Sequence, residues 1–249
     1  MAIARRKRSG MFGLVAALVG MLLVSGAPMV TAAEPSTGGV LPPDAQPLGY
    51  SLRDMARKTA AMTSSGNDPE TFPHTRLEIL HMKKDTSVVT LEGPCDPTMV
   101  DFCGLLFTGT NTFTVPQGTQ FYVPVQSVSD SAPILGTFPK RSDAVPYFFD
   151  QSQVGAENYR VIVDGQQTTL TPDYLAGPIG VTHLYDFDPA DPDAEGSKII
   201  TLGAFVDSLA AGRTHTVRIV GQLSGDLLKA TYDWDYYGLD FTYRVTVTG

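Results

Sequence analysis

Among 249 residues there are only two cysteines, one tryptophan and four histidines. Two cysteines cannot build a disulfide-dense scaffold or a four-thiolate zinc site. Their spacing, Cys95 to Cys103, is not the Cys-x-x-Cys of a dithiol redox centre. The histidines, His74, His81, His183 and His215, are scattered over strands and loops. Three could converge on a metal, but a lone histidine on a strand is more often a structural or surface group. Gly-x-Ser-x-Gly, His-Glu-x-x-His and a phosphate-binding glycine loop ending in Lys-Ser or Lys-Thr are all missing, which removes the usual hydrolase, metalloprotease and nucleotide signatures. Positive charge is also scarce, with 18 Lys and Arg against 26 Asp and Glu.

Four of those positive charges sit at the start of the chain. Arg5-Arg6-Lys7-Arg8 precedes an apolar stretch from Met11 to Val24, and Val30-Thr31-Ala32 offers a small-residue cleavage site before Ala33. This is the order of a secretory signal peptide over 1–32. A membrane anchor needs roughly 20 predominantly apolar residues, and Ser25, Gly26 and Pro28 cut the run short. Cleavage removes four of the 18 basic groups and none of the 26 acidic ones, leaving a net charge of −12. Such a surface repels a phosphate backbone, so nucleic acid is not an expected partner, and no membrane association is expected after cleavage. The expectation is an exported, acidic chain. In an oxidising compartment Cys95 and Cys103 would form a disulfide, for which the nine-residue loop gives about 2.5 kcal/mol.

The region 33–49, rich in Pro and Gly, is expected to be a flexible lead-in, followed by a β-sandwich domain over 50–249. Ser51-Leu-Arg-Asp54 has the form of a capping box. Leu52, Met55, Ala56, Thr59 and Met62 then share a helical face until Ser64-Ser65-Gly66-Asn67, which predicts one short helix plugging an open end of a β-core. Short β-rich runs follow at 76–82, 86–91, 105–107, 112–115 and 120–128. Tyr159–Val163 and Gln166–Leu170 flank Asp164-Gly165, the strongest hairpin signal in the chain. A further helical turn is expected at 205–209. The last forty residues alternate apolar and polar side chains and predict three strands, with a hairpin at Tyr237-Gly-Leu. Together these give a mainly β fold, an antiparallel sandwich or jelly roll with one N-terminal helix.

Four stretches carry a resemblance: Phe113-Thr-Val-Pro-Gln-Gly-Thr-Gln-Phe-Tyr-Val-Pro-Val125, Val163-Asp-Gly165, Leu209-Ala-Ala-Gly-Arg-Thr-His-Thr-Val217 with Gly221, and Thr242-Tyr-Arg-Val-Thr-Val247. In this order they resemble a group of secreted bacterial β-sandwich proteins to which no activity is assigned. The resemblance covers roughly the second half of the chain after the leader. It implies a shared scaffold and no catalytic residue. Leu202-Gly-Ala-Phe205 stands where the group has an Asp-Gly-aromatic run.

Two places invite chemistry. Asp186, Asp188, Asp191, Asp193 and Glu195 put five carboxylates within ten residues, and Ca²⁺ takes about six to eight oxygens from such a loop. From Asp191 the order Asp-x-Asp-x-Glu-Gly follows the first half of an EF-hand loop, but Leu202 stands where a bidentate Glu is needed. The simpler account is a solvated acidic loop with Asp-Pro turns. Tyr232, Trp234 and Tyr236, interleaved with Asp233 and Asp235, could form a sugar-stacking platform; aromatics at period two are also what a sandwich core uses. A carboxylate pair for glycoside hydrolysis is defined by its separation and has no sequence signature. The expectation is an exported binding or structural module without catalysis, and the alternative a secreted hydrolase or a calcium-assisted glycan-binding protein using acidic residues.

Overall fold

A computed structural model describes residues 38–64, 76–82, 87–92, 104–129, 141–180, 198–232 and 234–249. Ten strands form two sheets among these residues. The four-stranded sheet has the order β1-β4-β8-β7, from β1 (Leu77–Ile79), β4 (Gln120–Ser129), β8 (Lys198–Val206) and β7 (Leu175–Gly180). The six-stranded sheet has the order β2-β3-β10-β9-β5-β6, from β2 (Ser87–Glu92), β3 (Gly104–Pro116), β10 (Tyr236–Thr248), β9 (Arg213–Leu223), β5 (Ala156–Val163) and β6 (Gln166–Thr169). Both contribute to one buried apolar cluster, so the fold is mainly β and sandwich-like.

Strict alternation sets the faces of the six-stranded sheet. In β10, Leu239, Phe241, Tyr243, Val245 and Val247 are buried while Arg244 and Thr248 are exposed, and in β9 Val217 and Ile219 are buried against exposed Thr216 and Arg218. Burying each large apolar side chain contributes about 1.5–3 kcal/mol, so a charge placed at Val245 would break this layer. β8 behaves differently. Every residue from Ile199 to Val206 is buried, because both of its faces are covered. One cover is α1 (Leu52–Ser64), which lies against β7, β8 and β4. Its start is capped as expected: Ser51 N–H donates to Asp54 Oδ2 (3.0 Å) and Asp54 N–H to Ser51 Oγ (3.2 Å). Leu52, Met55, Ala56 and Ala60 are buried along it, so the helix seals a sheet face rather than plugging an open end.

Several expectations change. The sandwich is not purely antiparallel, since β1 pairs with β4 and β3 with β10 in parallel. The runs 105–107 and 112–115 are parts of the single strand β3, which crosses into β4 of the other sheet through Gln117-Gly118-Thr119. The chain at 207–210 is irregular rather than helical. Among the described residues two further α-helices occur, α2 (Arg141–Phe149) and α3 (Asp226–Tyr232). The second replaces the first of the expected C-terminal aromatic strands, and Gly238 lies inside β10 rather than in a hairpin. Part of the lead-in is tied down: Leu41 N–H donates to Phe205 O (2.8 Å), Asp207 N–H to Gly39 O (3.0 Å) and the Tyr174 hydroxyl to Leu41 O (3.0 Å). Cys95, Cys103, the signal segment 1–32 and the acidic stretch from Asp186 to Glu195 lie outside the described residues.

Candidate functional site

The Asp164-Gly165 turn takes the conformation its residues favour. Both have positive φ, 48° and 86°, as a type I′ hairpin between β5 and β6 requires. The turn aims the Asp164 carboxylate sideways at the start of β9. There Thr216 N–H donates to Asp164 Oδ1 (2.9 Å), while the Asp164 N–H donates to Thr216 O (2.9 Å). The second carboxylate oxygen accepts from His215 Nδ1 (2.7 Å) and more distantly from Arg213 Nη2 (3.4 Å). Burial raises the Asp164 carboxyl, but the Thr216 N–H, the His215 contact and the charges of His215 and Arg213 outweigh it and hold the group below the ordinary carboxylate range.

The imidazole itself is only 2% exposed. Its Nε2 lies 2.9 Å from the Ala210 carbonyl and 3.3 Å from Arg213 Nε. With a hydrogen on Nδ1 shared with Asp164, Nε2 can accept from Arg213; with a second proton it donates to Ala210. Either way both ring nitrogens are engaged by the scaffold. Gly38, Val163, Gln166 and Leu209 complete a cleft of about 170 Å³ around these groups. The chain positions Asp164 through a hairpin, His215 through the inward face of β9, and Ala210 through the loop that carries the chain from one sheet to the other.

His215 was expected only as a scattered histidine and Asp164 only as a turn residue. Their pairing was missed because 51 residues separate them. A signal was present, since both belong to the stretches that carry the resemblance above. His81 is elsewhere, with Nδ1 2.9 Å from Ile79 O and its ring edge-on to Phe113. His74 and His183 lie outside the described residues. Among the described residues no three His, Cys, Asp or Glu side chains are grouped for a metal ion.

No family model and no curated protein matches the chain. Among solved structures, the solution structure of Amebosin is similar at a TM-score of 0.19 and 12% identity, over 57% of this chain and 97% of that one. Likeness at that level carries no inference about fold or activity. No helix among the described residues is long and apolar enough to cross a membrane.

The residues of the expected aromatic platform do not share one strand face. Tyr232 ends α3, Trp234 lies in the connection, and Tyr236 opens β10. Trp234 is half-buried and stacks on Tyr237 (centroids 6.2 Å apart, planes 25°), and Tyr237 in turn meets Phe107 of β3 at 5.0 Å. Asp235, one of the interleaved carboxylates, is held by Lys229 Nζ at 2.6 Å.

Proposed function

We propose that the chain is an exported, non-catalytic β-sandwich protein serving as a binding or structural module. The observation that carries this reading is the closure of the His215 ring in the Asp164–His215 pair. A general base needs a nitrogen within reach of a substrate proton. Here a nearly fully buried ring has one nitrogen on Asp164 and the other on Ala210 and Arg213. The same economy recurs elsewhere on the scaffold. Glu157 is held below its ordinary range by the Ser224 hydroxyl and the Gln222 amide, and Asp54 by Ser51. Glu157 ties β5 to the end of β9, and Asp54 caps α1. Export rests on the composition of residues 1–32, and mass analysis of protein recovered outside the cell should find a chain beginning near Ala33.

The test of the non-catalytic reading uses Asp164→Asn and His215→Gln in the full chain against a panel of chromogenic esters and glycosides. The expected result is no turnover by the wild type and a lowered melting temperature in both variants. Turnover by the wild type that disappears in a folded Asp164→Asn variant would overturn the reading and establish the hydrolase alternative.

A further inference from the structure

The outward face of the six-stranded sheet carries Arg160, Arg218 and Arg244 against Asp240 and Glu157, the latter held by Gln222 and Ser224, on a chain that is acidic as a whole. The register places Arg160 of β5 beside Val220, Arg218 of β9 beside Ile162 and Thr242, and Arg244 of β10 beside Thr216 and Thr112. Each arginine is therefore one strand over and two residues along from the previous one. With strands about 4.8 Å apart and about 6.7 Å per two residues, the diagonal advances about 8 Å per step. Arg218 and Arg244 are exposed and Arg160 is half-buried. Asp240 grips Arg218 through Nε (2.6 Å) and Nη2 (2.5 Å), which fixes the guanidinium and leaves its Nη1 hydrogens uncommitted in that fork. Arg160 and Arg244 form no ion pair among the described residues. Threonines fill the ground between them, with Thr110, Thr112 and Thr216 exposed.

We propose that this face binds an acidic polysaccharide laid obliquely across β5, β9 and β10, its carboxylate or sulfate groups on the arginine diagonal and its hydroxyls on the threonines. The proposal rests on the binding-module reading above and names its partner. Charge density decides against duplex DNA. Duplex DNA carries one charge per about 1.7 Å of axis, whereas the diagonal offers one cation about every 8 Å, one of them already neutralised by Asp240. The chain as a whole is acidic, 18 Lys and Arg against 26 Asp and Glu, so attraction of a polyanion has to come from this face alone. Planar guanidinium groups suit the bidentate recognition of carboxylate and sulfate oxygens.

The test is binding of fluorescently labelled polygalacturonate, dextran sulfate, neutral dextran and single-stranded poly(dT) to the full chain, with reducing-end release followed in the same samples. The wild type should bind one or both acidic polysaccharides, more weakly as salt rises, and should bind neither neutral dextran nor poly(dT). Which acidic polymer it prefers separates a carboxylate from a sulfate ligand. R160Q/R244Q should weaken binding roughly tenfold or more. R244E, confined to an exposed side chain, should do the same with an unchanged melting temperature. Failure to bind either acidic polymer, equal binding by wild type and variants, or comparable binding of poly(dT) would overturn the proposal and leave the non-catalytic reading standing. Binding that is accompanied by reducing-end release would instead overturn the non-catalytic reading and leave the arginine face intact.

Discussion

Replacing Gly221 with alanine sets two effects of opposite sign against each other. Gly221 lies on the inward face of β9, where β5 has a bulge: Glu157 pairs with Gln222 and Arg160 with Val220, so Asn158 and Tyr159 together oppose one residue. The Tyr159 ring lies flat on the glycine, and a Cβ there would sit 2.5 Å from its Cγ and Cε1. The ring cannot readily swing away, because its hydroxyl donates to Gln126 Oε1 of the opposite sheet (3.3 Å) and its other side meets Phe148 of α2 at 6.1 Å. Overpacking of this kind costs about 1–3 kcal/mol. Restricting the unfolded chain returns about 0.4–1 kcal/mol, since Gly221 has no positive φ to forbid alanine. The clash outweighs the return over nearly the whole of that range, and the net loss is up to about 2.6 kcal/mol, or up to about 10 °C in melting temperature for a chain of this size. Thermal unfolding followed by circular dichroism reads it directly. In a Tyr159→Ala background, itself destabilised by about 3–5 kcal/mol, the same Gly221→Ala change should become neutral or stabilising. An equal loss in both backgrounds would refute the account of the glycine as a seat for the ring.

Acid should destabilise the fold through Asp164, Asp54 and Glu157, whose folded values lie below their ordinary ones. A depressed carboxylate contributes stability that is present above about pH 4 and lost as pH falls through the folded value, so Asp164→Asn should flatten that limb of a stability–pH curve; an unaltered limb would argue against it. If Cys95 and Cys103 are joined, the intact mass should be two hydrogens short of the reduced chain with no thiol open to alkylation, and two alkylatable thiols would end that reading. If the carboxylates from Asp186 to Glu195 hold Ca²⁺ with a Kd of about 10⁻⁴ to 10⁻³ M, tenfold excess over Kd should stabilise the chain by about 1.4 kcal/mol. An equal rise with Mg²⁺, or one that survives Asp191→Asn with Asp193→Asn, would mean general charge screening only.

What the sequence determined by itself is local. Ser51 and Asp54 cap their helix because each reaches the other's N–H within one turn. Asp164-Gly165 makes its hairpin because two successive positive φ angles suit few other pairs. The alternation in β9 and the second half of β10 fixed which side chains face inward, since a strand's period is two whatever it pairs with. The tertiary structure decided what depends on distant partners. Phe107 and Phe113 belong to one strand because the whole of β3 pairs in parallel with β10, more than a hundred residues later. Tyr232 entered a helix because alternation over a few residues does not outweigh the path between β9 and β10. Asp164 meets His215, and Arg160, Arg218 and Arg244 fall on one diagonal, only through the register of three strands. Side-chain period names the face a residue takes; register, set by packing across the whole sheet, names its neighbours there.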